Sequence, residues 1–279
     1  MHWIDLILNL AAWILWMHGT TGLMQASKRM EGISLGLTLK AISPARINPS
    51  WFLMMGVLLI LCFKILLLHT LGKPLASTMS QEFLLMPVFF KTGSLSHMAC
   101  MGIVTFLRCC IIGYVWLWFI RRMAMGRGME SLQEALDGML GPLARAHAWI
   151  QPVCLWLMGL IAWMVVSGLL VQMEILPSRS LSELLWQATF VSLAGWLTLK
   201  WLIAMLLLCY LAHSYIYLGS WEGWDWLEHL VERLLWPMKS LRLHWKRIDF
   251  APVVAIPLYW VTFLVIERAI LYLGTRVAS

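Results

Sequence analysis

Apolar residues fill this chain in long blocks, and short polar stretches separate them. Six blocks stand out: His2–Met17, Trp51–Leu71, Met98–Ile120, Val153–Val171, Leu181–Leu218 and Val253–Tyr272. A helix of about 20 apolar residues spans the hydrocarbon layer of a bilayer. The pattern therefore predicts six transmembrane helices. The first block holds Asp5, has no basic leading region and has no small-residue cleavage site. It reads as a retained helix rather than a signal peptide. The fifth is long for one crossing and should tilt or begin in the interface.

Two polar stretches carry a helical period. In the first, Leu132, Ala135, Leu136, Met139, Leu140 and Leu143 share one face. Ser131 followed by Glu134 predicts a capping box at its start, and Ser180 with Glu183 predicts another at the fifth span. In the second, Leu227, Leu230, Val231, Leu234, Leu235, Met238 and Leu241 form the stripe. Asp225, Glu228, Glu232 and Arg233 lie off it. The acids come early and Lys239 and Arg242 late, which complements a helix dipole. A hinge follows at Arg247-Ile248-Asp249-Phe250-Ala251-Pro252 and leads into the sixth span. Residues 18–50 read as a loop. Within 72–96, Phe83–Phe90 reads as an interfacial half-helix broken at Pro87.

Composition narrows the class. The chain of 279 residues is 61% hydrophobic and 13% charged, with a mean hydropathy of +0.78. This predicts an all-α integral membrane protein with two amphipathic helices on the inner face. The eighteen Trp suit bilayer interfaces. The net charge of +7 fits a positive-inside bias better than a nucleic-acid surface. With residues 18–50 inside, the inner loops hold Lys28, Arg29, Lys40, Arg46, Arg121, Arg122, Arg127, Arg145, Arg233, Lys239, Arg242, Lys246 and Arg247. The outer side keeps Lys73, Lys91, Arg179, Arg268 and Arg276. Both termini then lie outside, on the periplasmic face of an inner or energy-transducing membrane. The six Cys sit in apolar blocks without a Cys-x-x-Cys and read as small buried residues.

The order span, surface helix, span occurs twice. The first copy has Leu140-Gly141-Pro142-Leu143-Ala144-Arg145, then Pro152-Val153. The second has Leu235-Trp236-Pro237-Met238-Lys239, then Pro252-Val253. Proline is tolerated in a first helical turn and interrupts a helix interior. Three regions follow: 1–97 with two spans, 98–173 as the first repeat and 180–273 as the second. Two copies running in parallel would be related by an axis along the membrane normal.

At Trp236-Pro237-Met238-Lys239 and Asp249-Phe250-Ala251-Pro252 the chain resembles the YggT family of small membrane proteins, across about residues 98–273. It departs from that family's pattern in Ala251, where Ser is usual, in lacking the Asp in the first copy, and in two added spans. The resemblance implies a non-catalytic role in membrane-complex assembly, such as cofactor attachment in photosynthetic cytochrome complexes, membrane organisation, osmotic tolerance or division.

The chain shows no nucleophile–base pair, Gly-rich phosphate loop or metal quartet, so no enzymatic activity and no bound cofactor are expected. The leading expectation is an accessory, assembly or scaffold protein that docks on a larger bioenergetic or envelope complex. Its docking residues for partner and anionic lipid headgroups are Pro142, Arg145, Pro152, Pro237, Lys239, Arg242, Lys246, Arg247, Asp249, Phe250 and Pro252. Asp249 reads first as a cap of the sixth span. A second expectation is a small transporter or channel built on Arg108 and Lys200, charges at membrane depth. No mid-span acid answers Lys200, because Glu267 reads as nearer the outer end; Lys64 reads as snorkelling toward a helix end. A third is a haem or pigment subunit, with His69 opposite His97 or His18 opposite His213.

Overall fold

The protein's architecture comes from a computed structural model that describes residues 2–31, 49–72, 78–84, 86–125, 129–215, 222–241, 244–245, 248–249 and 251–278. It is an all-α membrane protein. Five of its helices are long and apolar enough to cross a membrane among the described residues: Ser50–Gly72, Leu95–Met123, Ile150–Gln172, Leu181–Tyr215 and Ala251–Tyr272. The expected first span is also helical but is not among the five. Asp5, Asn9 and His18 dilute its apolar run.

The chain divides into two compact units. The first comprises Met1–Ile111, Gly138–Gln151 and Met164–Ser178. Here α1 (His2–Glu31) runs antiparallel to α2 (Pro49–Gly72). Glycines on each helix make room for side chains of the other. A methyl group added at Gly56 would lie 3.2 Å from Leu15, and one at Gly19 would lie 3.3 Å from Met54. Ala12, Val57 and Phe106 form a core, with Trp16 edge-on to Phe106. The loop expected from residue 18 begins later, because α1 continues to Glu31. His18 bonds Ile14 O, Thr20 Oγ1 donates to Trp16 O, and Thr21 Oγ1 donates to His18 O. Polar side chains that hydrogen-bond their own helix do not end it.

The segment read as an interfacial half-helix is instead a β-hairpin. Strand β1 (Thr78–Phe83) pairs antiparallel with β2 (Met86–Lys91), so that Gln81 faces Val88 and Thr78 faces Lys91. Gln81, Phe83, Val88 and Phe90 are buried while Ser80, Pro87 and Phe89 are exposed. That is the period of two that a strand requires. Pro87 ends no helix here; it occupies the edge of a two-stranded ribbon, where a missing N–H is tolerated. Leu84 turns the corner at φ 60°.

α3 (Leu95–Met123) contributes residues to both units, as does α6 (Ile150–Gln172). α4 (Glu130–Leu140) starts one residue before the expected cap, so Ser131 lies inside the helix and the first capping box does not form. Met129 O accepts from Gln133 N in its place. α4 stops ahead of Gly141, whose φ of 58° suits glycine, and α5 (Pro142–Arg145) starts on the proline. Buried Gln151 then donates to Ala144 O and Ala146 O, closing the end of α5.

The second unit comprises Ile112–Asp137, Pro152–Trp163 and Arg179–Ser279. α7 (Leu181–Leu197) follows the expected N-cap, Ser180, whose Oγ accepts from Glu183 N at 3.4 Å. The long fifth block is interrupted at Thr198, and α8 (Leu199–Tyr215) continues it. Thr198 Oγ1 donates to Gly195 O and accepts from Trp116 Nε1 at 3.1 Å. α9 (Glu222–Leu234) and a 3₁₀ turn (Trp236–Leu241) carry the second amphipathic stretch. Leu227, Val231, Leu234, Leu235 and Met238 pack with Ile203 and Leu207 of α8 and with Ala251 and Ala255 of α10 (Ala251–Ala278). Tyr259 donates to Leu234 O at 2.7 Å, and Arg233 Nη1 donates to Met123 O at 2.8 Å. A two-residue ribbon, β3 (His244–Trp245) with β4 (Ile248–Asp249), precedes α10.

α6 and α7 cross closely in this unit. Ser192 Oγ donates to Trp156 O, and a methyl group at Gly159 would lie 2.6 Å from Ser192 Oγ and 3.3 Å from its Cα. The Cα belongs to the backbone and cannot rotate away. Gly159→Val is therefore expected to destabilise the protein by about 1–3 kcal/mol. Unfolding of the purified chain in mixed detergent micelles measures it, and unchanged stability would refute this close crossing.

Candidate functional site

Among the described residues, two lysine–carboxylate pairs link the long helices, one within each unit. In the first unit, Lys64 stands eight residues before Gly72 on α2, about 12 Å of helix from that end. It does not snorkel, as the sequence reading had it. Its side chain is 0% exposed and is drawn inward by oxygen atoms from α1 and α3. Nζ lies 2.7 Å from Asp5 Oδ1 and donates to Asn9 Oδ1 and Thr105 Oγ1, both at 2.6 Å. Gly102 O stands at 3.5 Å. Asn9 Nδ2 donates to Asp5 Oδ2 at 3.1 Å, and Thr105 Oγ1 passes a hydrogen bond on to Met101 O at 2.9 Å. Asp5 and Asn9 sit one helical turn apart, so both reach the same ammonium. The network joins three helices.

In the second unit, Lys200 on α8 donates to Glu267 Oε2 on α10 at 2.7 Å. Glu267, read as too near the outer end to answer Lys200, is thus its partner. Lys200 lies fifteen residues from Tyr215, and Glu267 sixteen from Ala251. At 1.5 Å per residue both stand about 23–24 Å from the ends of α8 and α10 that α9 connects. The Lys200 ammonium also faces the Trp260 ring, 5.6 Å from its centroid, and Trp260 packs edge-on against Trp201 at 4.7 Å. The pair is incompletely covered: its side chains are 19% and 28% exposed. Lys200 follows the Thr198 interruption by two residues.

The expected docking residues fall at the ends of the amphipathic segments. Pro142 and Arg145 are exposed on α5, and Pro237 is exposed in the 3₁₀ turn. Pro152 lies in the first turn of α6, and buried Pro252 in the first turn of α10. Pro152 also lines a shallow apolar groove of about 360 Å³ with Val153, Trp156, Leu193 and Trp196. Asp249 belongs to β4, two residues ahead of α10. The backbone of Lys239 lies in the 3₁₀ turn, while Arg242, Lys246, Arg247 and Phe250 lie outside the described residues. The structure thus does not gather the whole basic collar into one described site.

Arg108 is half-buried on α3 and makes contacts of its own. Among the histidines, His18 bonds its own helix, His97 Nδ1 accepts from Lys91 N at 3.4 Å, and His213 stacks on Trp224 at 4.7 Å. No group of three His, Cys, Asp or Glu is placed to hold a metal ion among the described residues. No protein-family model, curated protein or solved structure matches this chain. What the chain does must therefore be argued from its own geometry.

Proposed function

We propose that this multi-pass membrane protein is a non-catalytic accessory or assembly subunit that docks on a larger membrane complex. The observation that carries the reading is the Lys200–Glu267 pair, whose side chains stay 19% and 28% exposed on spanning helices. Charged groups at membrane depth normally face protein or a water-filled cavity, since lipid tails offer no partners. The helix that carries Glu267 buries few of its residues fully. Only 6% of the most apolar window of α10 is buried within the chain, against 56% for Leu181–Tyr215. A partner helix lying along α10 would cover both.

The platform formed by α9 and the 3₁₀ turn supports the same reading. Its apolar stripe is seated, while Asp225, Glu228, Glu232, Trp236 and Pro237 remain exposed. We place this platform, with Lys239, Arg242, Lys246 and Arg247 at its end, on the inner face, beside anionic headgroups and with both termini outside. The order of α3 to α6 parallels that of α7 to α10, each with an amphipathic helix halted just before a proline. That order keeps the YggT-like repeat within the proposal.

Gentle detergent extraction from native membranes tests the docking reading. The protein should migrate in an assembly larger than itself, and replacing Lys239, Arg242, Lys246 and Arg247 together with Gln should weaken that association. A chain that runs only as a lipid-bound monomer would count against it. One observation favours a second reading, transport: the interruption at Thr198 sits beside an ion pair, as do the broken helices that line ion sites. Flux through proteoliposomes that Lys200→Met abolishes would favour transport over docking.

A further inference from the structure

The two intramembrane ion pairs are the same chemical unit in different stages of completion. Around Lys64 and Asp5, one carboxamide closes the circuit. Asn9 Oδ1 accepts from the ammonium at 2.6 Å, and Asn9 Nδ2 donates to the second carboxylate oxygen at 3.1 Å. Thr105 takes a further ammonium proton. Side-chain exposure there is 0% and 11%.

Around Lys200 and Glu267 the lysine–carboxylate contact is present at the same 2.7 Å, but the carboxamide is missing. Among the described residues, Lys200 Nζ has one hydrogen-bond acceptor and Glu267 Oε1 has no donor. An ammonium carries three donors and a carboxylate oxygen two lone pairs. Open donors and an open acceptor therefore stand side by side on the uncovered side of the pair.

We infer that a carboxamide side chain, Asn or Gln, on a spanning helix of the docking partner completes the Lys200–Glu267 pair. The inference rests on the docking reading and specifies the chemistry that the partner presents. A carboxamide holds one acceptor and one donor group on the same plane, which matches the open positions on both residues. A carboxylate would meet Lys200 but repel Glu267. A lysine or arginine would meet Glu267 but repel Lys200. Asn9 already makes the required arrangement within this chain, on the pair of the same composition.

Photo-crosslinking of the full chain in native membranes tests this. Benzoylphenylalanine replaces Leu264, an exposed residue one turn from Glu267 on α10. The crosslinked peptide should come from a spanning segment of another protein, with Asn or Gln within a turn of the attachment point. Replacing that amide with Leu should lower the yield about tenfold, the loss of an intramembrane hydrogen-bonded contact. The double variant Lys200→Leu/Glu267→Leu, which keeps α10 apolar, should lower it by the same factor. A spanning peptide without an amide, or a yield indifferent to the replacement, overturns the inference and leaves docking intact. Adducts to lipid or to this chain alone overturn both.

Discussion

Lys64→Leu is expected to cost about 3–5 kcal/mol of stability, the usual effect of removing one partner from a buried pair. Asp5 would keep only the Asn9 amide, deep among α1, α2 and α3, and Asn9 Oδ1 and Thr105 Oγ1 would each lose their shortest contact. Asp5→Leu should act in the same direction, because it strands the ammonium instead. The double variant Asp5→Leu/Lys64→Leu should recover most of the loss. A buried pair replaced whole by apolar side chains is often neutral, whereas a broken one is not. Denaturant titration of the four proteins in mixed micelles gives the cycle. If the double variant were as unstable as either single one, the ion pair would not be what holds these helices together. The parallel substitution Lys200→Leu should cost less, since Glu267 is 28% exposed and can be reached by water or a partner.

The difference between these two pairs explains much of what the sequence did and did not reveal. Local periodicity made α9 legible. Leu227, Leu230, Val231, Leu234, Leu235 and Met238 were expected on one face, and all six are buried. Prolines made the interruptions legible, since α4 and α9 both stop just ahead of one. Long-range polar matching was not legible from any window. Lys64 meets Asn9 across 55 positions and Thr105 across 41. A signal existed, however: two polar side chains one turn apart on an apolar helix, followed by a lone lysine in the next. Counting from the shared end of α8 and α10 would also have put Glu267 level with Lys200. The hairpin was obscured for another reason. Phe83-Leu84-Leu85 and Val88-Phe89-Phe90 are continuous apolar runs, and Leu84 takes a positive φ where a glycine or asparagine would have announced the turn. Ser131 failed as a cap because α4 already begins at Glu130, so Glu134, expected at the third position, sits two residues too deep.

Val231→Asp carries the other large effect. Val231 is fully buried, on the α9 stripe that packs with α8 and α10. Among the described residues, apolar Ile203, Leu207 and Ala255 pack in the cluster that holds that stripe. An aspartate there must either stay unpaired or pull α9 out of its seat, and an uncompensated buried charge costs several kcal/mol. We expect a loss of about 3 kcal/mol or more, against about 2 kcal/mol for Val231→Ala, which removes only apolar contact. Glu228→Lys, on the exposed face, should stay within about 0.5 kcal/mol of the parent. Trypsin cleavage at Arg233 in membrane vesicles reads the same event locally, because a displaced α9 releases Arg233 from Met123 O and Leu234 O from Tyr259. Cleavage should accelerate in Val231→Asp and not in Glu228→Lys. Equal rates would mean that the apolar stripe does not hold α9 in place. If the stripe does hold it, Val231→Asp should also abolish the proposed larger assembly, since α9 and the start of α10 rest on the same packed residues.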